Sequence, residues 1–185
     1  MSLNDELFGL GDPLAQFKVY IANRPNFSGY LNLDSVNPLS TGEIHAIGQA
    51  CGNGWRKVFN VYAKLLFALN AENIVSLQRA QSWQNYRDHA LLQASSNTSL
   101  LFSPPKISHV EGKDNKAIHL IMGKTYAKSL NLSHPLTWLD HEFAFDAGSK
   151  LIVCPYFDYR QLSNVKIIRL VELLKQFGVE KLPFS

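Results

Sequence analysis

The chain has 185 residues, 46% of them hydrophobic and 18% charged, with 11 Phe, 7 Tyr and 3 Trp. That apolar, aromatic composition excludes a disordered or purely solvating segment, and the length suits one domain with a self-sufficient core. The net charge of +3 reflects a modest excess of Lys and Arg spread over residues 51–185, weaker than the bias of a dedicated electrostatic binder.

Residues 1–16 read as a short amphipathic lead-in with turn chemistry at Gly11-Asp12-Pro13. Phe17 to Ala22 is a β-rich run that stops at Asn23-Arg24-Pro25-Asn26, because proline cannot continue a ladder. The polar, glycine-bearing stretch Phe27 to Gly54 holds one predicted short helix, Thr41 to Cys51. Segments of that kind are usually functional or mobile. Trp55, Val58, Phe59, Tyr62, Leu65, Leu66 and Leu69 follow the i, i+3, i+4, i+7 spacing of one buried helical face. A second helix is expected over Ala71 to Ala94, with a less regular pattern that allows a split.

Thr98 to Phe102 is apolar and β-prone and ends at Pro104-Pro105. After the polar loop Glu111 to Lys116, the almost wholly apolar run Ala117 to Met122 suits a strand covered on both faces. Gly123 turns the chain into a helix, Lys124 to Leu130, and Lys150 to Cys154 repeats the buried-strand pattern. The loop Pro155 to Leu162 leads to a helix capped at Ser163 or Asn164. Its predicted apolar face is Ile167, Ile168, Leu170, Val171 and Leu174, and Gly178 is its expected end. Strands alternating with helices predict a single α/β domain over residues 1–185, a three-layer α/β/α arrangement around a mainly parallel sheet. Ligands of such sheets lie beyond the carboxyl ends of the strands, which selects the loops 23–30, 103–109 and 155–162.

No apolar run nears the length of a membrane span, and Met1 to Glu6 lacks the pattern of a secretory signal. Cys51 and Cys154 are the only cysteines, too few for a disulfide framework, so a cytoplasmic protein is expected. Gly123-Lys124-Thr125 follows a strand, but a phosphate loop needs a further glycine where Ile118 stands. Of the six histidines, only Asp140-His141-Glu142 forms a tight cluster with acids. Neighbours on an extended chain cannot face one metal. A solvated turn is the better account, and neither a metal nor a cofactor is expected. Cys154 reads as a small buried hydrophobe at a strand end, with a nucleophilic role as the sharper alternative. Tyr156, Phe157, Asp158, Tyr159 and Arg160 form the densest chemistry in the chain. Here the aromatics could stack on a ring and Arg160 could hold a phosphate. Equally, an Asp158–Arg160 pair could lock the loop.

Three segments in order resemble the uracil-DNA glycosylase superfamily. Ala117 to Leu130 is similar to its strand, Gly-Lys turn and helix, and Lys150 to Ser163 sits where its H-P-S loop begins. Val165 to Phe184, with Gly178 and Pro183, resembles its last helix and tail, and Tyr20 to Asn26 falls at its first strand and loop. The resemblance implies that fold and a DNA or nucleobase-like ligand. The catalytic positions depart from it. Arg24 stands where several branches carry a water-activating Asp or Asn, Cys154 replaces a histidine, and Tyr156 replaces a serine. An arginine is no general base at neutral pH, so the ordinary glycosylase mechanism is not expected.

The first functional expectation is therefore a crevice binding nucleic acid or a nucleobase-like molecule. Asn23, Arg24, Asn26 and Tyr30 would form one wall, and Cys154, Tyr156, Asp158 and Arg160 the other. The alternative is a hydrolase or transferase on a phosphorylated or carboxylated metabolite, with Asp158 as base and the arginines as anchors. A pure interaction module is the third.

Overall fold

Eight strands and five helices occupy the residues described by the computed structural model, 6–77, 80–107 and 116–177. The first half holds β1 (Gly9–Gly11), β2 (Phe17–Tyr20), β3 (Val36–Asn37), α1 (Glu43–Cys51) and α2 (Asn53–Ala71). Then come α3 (Trp83–His89), β4 (Thr98–Leu101), β5 (Ile118–Met122) and α4 (Lys124–Ser129). The chain continues with β6 (Thr137–Trp138), β7 (Ala144–Asp146), β8 (Leu151–Cys154) and α5 (Asn164–Gln176). The expected helix end at Gly178, the Pro183 tail, His109 and most of the loop 111–116 lie outside the described residues. No helix among the described residues is long and apolar enough to cross a membrane.

The strands form one mixed sheet in the order β3-β1-β4-β2-β5-β8-β7-β6. Its centre, β4-β2-β5-β8, is parallel as expected, with Val19 beside Leu100 and Leu120, and Leu120 beside Ile152. The flanks correct the expectation of a mainly parallel sheet. β1 runs antiparallel to β4, and β6, β7 and β8 are successively antiparallel. The reason is connection length. Only residues 147–150 separate β7 from β8, whereas a parallel neighbour needs a crossover of a dozen or more residues.

The larger core lies on one face of the sheet. Val19, Leu100, Leu120 and Ile152 meet Ile47 of α1, Phe59 and Leu66 of α2, Tyr86 of α3 and Leu170 of α5. All seven residues of the predicted α2 face are buried. On the other face α4 supplies Ala127 to a smaller cluster with Tyr20, Ile121 and Val153. The helices are thus distributed unevenly between the two faces.

Several expectations are revised locally. The predicted lead-in contains β1, whose Gly-Leu-Gly carries no alternation to read. The helix expected over 71–94 shrinks to α3, because α2 ends at Ala71 and Asn73, two residues on, takes a left-handed φ of 57°. Ser82 then caps α3 by accepting from the Asn85 N–H at 3.1 Å. Ser163 occupies the α5 cap position without a side-chain cap bond, and Ile168, expected on the buried face, is 62% exposed. The hairpin β6–β7 arises where no strand was predicted. Asp140 pins its turn by accepting from the Glu142 and Phe143 N–H groups at 2.7 and 2.8 Å.

Behind the sheet, Tyr20 Oη and His119 Nδ1 lie 2.8 Å apart, and burial, with Lys18 second, lowers the His119 pKa to about 4. Between its ordinary 6.5 and about 4, the unfolded chain binds a proton that the folded chain refuses. Stability is therefore expected to fall as pH drops through that window. Denaturation midpoints against pH check this: His119→Phe should flatten that part of the curve, and an unchanged slope would exclude His119 as its source.

Candidate functional site

The chain passes from β2 to β4 on one side and then returns to β5 and β8 on the other. Strand order reverses at β2, and the two loops leaving β2 and β5 diverge there, opening a crevice beyond the carboxyl ends. A cleft of about 550 Å³ occupies this end of the sheet. Ala22 after β2, Gly123 and Lys124 after β5, and Pro155 and Tyr156 after β8 contribute its walls. Its size suits a small organic ligand.

Tyr156 and Asn23, expected on opposite walls, meet directly: the phenol donates to Asn23 Oδ1 at 3.3 Å, joining the first and last loops across the sheet. Burial raises the Tyr156 pKa, so the phenol stays a neutral donor. Gln161, Thr125, His141 and Glu142 also face the cleft. Lys124 reaches past it, its Nζ 5.3 Å from the Trp138 ring centroid, with Lys128 at 5.8 Å from the same ring.

Other expected wall residues are directed elsewhere. The Arg24 guanidinium stacks 4.3 Å from the Phe8 ring centroid and donates to the Leu31 carbonyl at 3.0 Å. Asn26 is exposed on the same loop. Tyr30 is buried and donates to Glu43 Oε1 at 2.8 Å, which fastens the loop to the start of α1. Burial, then that bond, raises its pKa. Cys154 is fully buried on the helix-covered face, its Sγ 3.8 Å from the Ile121 carbonyl, and burial pushes its thiol pKa up. A protonated, enclosed thiol neither touches a ligand in the cleft nor acts as a nucleophile.

Asp158 belongs to a lock. Arg160 donates to it from its backbone N–H at 2.9 Å and from Nη2 at 3.1 Å, and Lys57 Nζ approaches to 3.0 Å. The Arg160 side chain first, then its N–H and Lys57, hold the carboxyl well below the usual carboxylate range. Asp158 lies just under the surface, so desolvation opposes this too weakly to win. Below it Phe157 is fully buried, edge-on to Tyr62 at 5.7 Å. This is the loop-locking arrangement, and it leaves a carboxylate too weakly basic for proton abstraction.

The sequence reading leaves out Lys57, for which a lysine between the buried positions Trp55 and Val58 is the usable signal. Asp140, His141 and Glu142 are expected in a solvated turn. That holds for His141, whose side chain is 82% exposed, while Asp140 pairs with Arg169 and Glu142 accepts from Lys166 Nζ at 2.6 Å. Among the described residues, no three His, Cys, Asp or Glu side chains are grouped to hold a metal.

No curated protein and no solved structure gives a significant match to the chain. Residues 8–175 match the family described as a family of unknown function, DUF6942. From β1 through most of α5, cleft included, the chain belongs to that family.

Proposed function

We propose that the cleft binds a nucleobase-like ring, presented by single-stranded nucleic acid or as a free nucleoside, without the glycosylase reaction. The observation that carries this reading is the Tyr156–Asn23 bridge at the strand-order reversal. Tyr156 brings an aromatic face to a pocket that also carries the Gln161 amide and the Thr125 hydroxyl. Aromatic faces take any base by stacking, and amide and hydroxyl groups can pair with its edge. Lys124 and Lys128 extend a basic strip from the cleft to Trp138, as a phosphate backbone requires. The distant resemblance to uracil-DNA glycosylases points the same way for the ligand, and the positions of Arg24 and Cys154 argue against that family's chemistry.

The competing metabolite hydrolase draws less support, since Asp158 is spent on Lys57 and Arg160. Fluorescence anisotropy of labelled single-stranded and duplex DNA, with and without uracil, tests the proposal across a salt series. Single strands should bind more tightly than duplex, with affinity falling as salt rises. Tyr156→Ala should weaken binding about tenfold, at the lower end of a lost base stack. Absence of binding at low salt, to both the strands and free nucleosides, would overturn the reading.

A further inference from the structure

A second pocket lies on the outer surface of the three-helix group α1–α2–α3, built from residues that the cleft does not use. Its volume is about 70 Å³, and Ile44, His45, Arg56, Asn60, Arg87 and Asp88 contribute to its lining. The excess of five Lys or Arg over two Asp or Glu in residues 51–100 concentrates partly here. Arg56 and Arg87 come from different helices and face one space.

Each arginine is positioned by a distinct device. Gly48 of α1 lets the Arg56 stem lie across the helix: a Cβ there would stand 2.5 Å from Arg56 Cγ. Among the described residues the Arg56 guanidinium has no hydrogen bond or ion pair. Arg87 is oriented by Asp88, with Nε and Nη2 donating at 2.7 and 3.0 Å, and by Asn60 Oδ1, which accepts from Nη1 at 2.6 Å. Those three bonds leave two of the five N–H groups of a guanidinium unengaged. Asp88 neutralises one of the two cations, so the pocket keeps a net positive charge beside the His45 imidazole. Arg87, with Lys64, also lies over Trp83, at 5.6 and 5.0 Å from the ring centroid.

We propose that this pocket binds a phosphate-class oxyanion, held between the Arg56 and Arg87 guanidiniums with His45 at its edge. Planar N–H forks match the oxygens of a phosphate better than a lysine point charge does. The space of about 70 Å³ is small and opens to solvent, which suits one tetrahedral group held at the surface. The site is independent of the cleft reading. Its phosphate comes either from solution or from the terminus of a phosphorylated chain.

Titration of the full chain with sodium phosphate at constant ionic strength tests it, with tryptophan emission as the readout. A saturable change is expected, and it should vanish in Trp83→Phe while the melting temperature still rises with phosphate. Arg56→Gln, which spares the Arg87 network, should weaken apparent affinity about tenfold, the loss of one charge-assisted bond. Arg56→Lys should fall between, and Lys116→Gln, an equal change in net charge at an exposed site, should leave affinity unchanged. Melting of each variant without phosphate confirms that it folds. A 5′-phosphorylated oligonucleotide that competes better than its unphosphorylated form would identify a chain terminus as the source. Competition by inorganic phosphate alone would identify the free ion. A linear response, equal binding of acetate, or equal loss in Lys116→Gln would overturn the proposal.

Discussion

Gly11→Ala is expected to destabilise the protein by about 3–5 kcal/mol, the combined scale of overpacking and backbone strain. β1 lies between β3 and β4, and Gly11 adopts a φ of +118° opposite Ser99. A Cβ there would stand 2.3 Å from the Thr98 carbonyl oxygen and 2.7 Å from Ser99 Cα. β4 cannot retreat, because its other edge is paired with β2. The strain therefore passes into the parallel centre that positions the cleft. Urea denaturation should show a lower midpoint with little change in slope. Gly54→Ala provides the contrast, since nothing lies within 4 Å of its Cβ position inside α2. It should be neutral or stabilising by up to about 1 kcal/mol. Similar midpoints for the two variants would refute the account of β1.

Asp158→Ala is expected to cost about 3 kcal/mol, from charge-assisted hydrogen bonds lost and a cation left unpaired near the core. The Lys57 side chain is 15% exposed and loses its carboxylate partner, whereas the Arg160 side chain, 70% exposed, is well solvated. Most of the loss therefore falls on Lys57 and on the Arg160 backbone N–H. Asp158→Asn should lose less, because it keeps an acceptor in the same place. The depressed folded-state pKa sets the pH dependence. The stabilisation is complete above the unfolded carboxyl value, near 3.9, and disappears as pH falls through the lower folded-state value. Acid denaturation should begin at higher pH in Asp158→Asn than in the parent. An NMR titration that finds the Asp158 carboxyl protonating in the ordinary carboxylate range would contradict the lock and revive the general-base role.

Phe157 explains why this loop matters for the cleft. Its ring is anchored against Tyr62 while the adjacent Tyr156 faces the cleft and Asn23. The lock and the anchor hold the Tyr156 ring in place at the cleft.

The elements themselves were written locally. The α2 face was legible from Trp55 to Leu69 because a helix repeats its buried positions every three or four residues. The parallel centre was legible because strands covered on both faces read as continuous apolar runs, as in β5 and β8. The loop beyond β8 showed its cluster of aromatics and charges but left ligand contact and an Asp158–Arg160 lock equally open, and the fold made the lock. Tertiary structure alone decided what each of those groups touches. Lys57 and Asp158 are 101 residues apart in the chain and Asn23 and Tyr156 are 133 apart, and no local period encodes such pairings. It also decided which strands were too short or too glycine-rich to announce themselves, as with β1 and β3, which hold their place through neighbours. Periodicity specifies which face of an element is buried, whereas the partner of a charge or a phenol is set by the packing of distant segments.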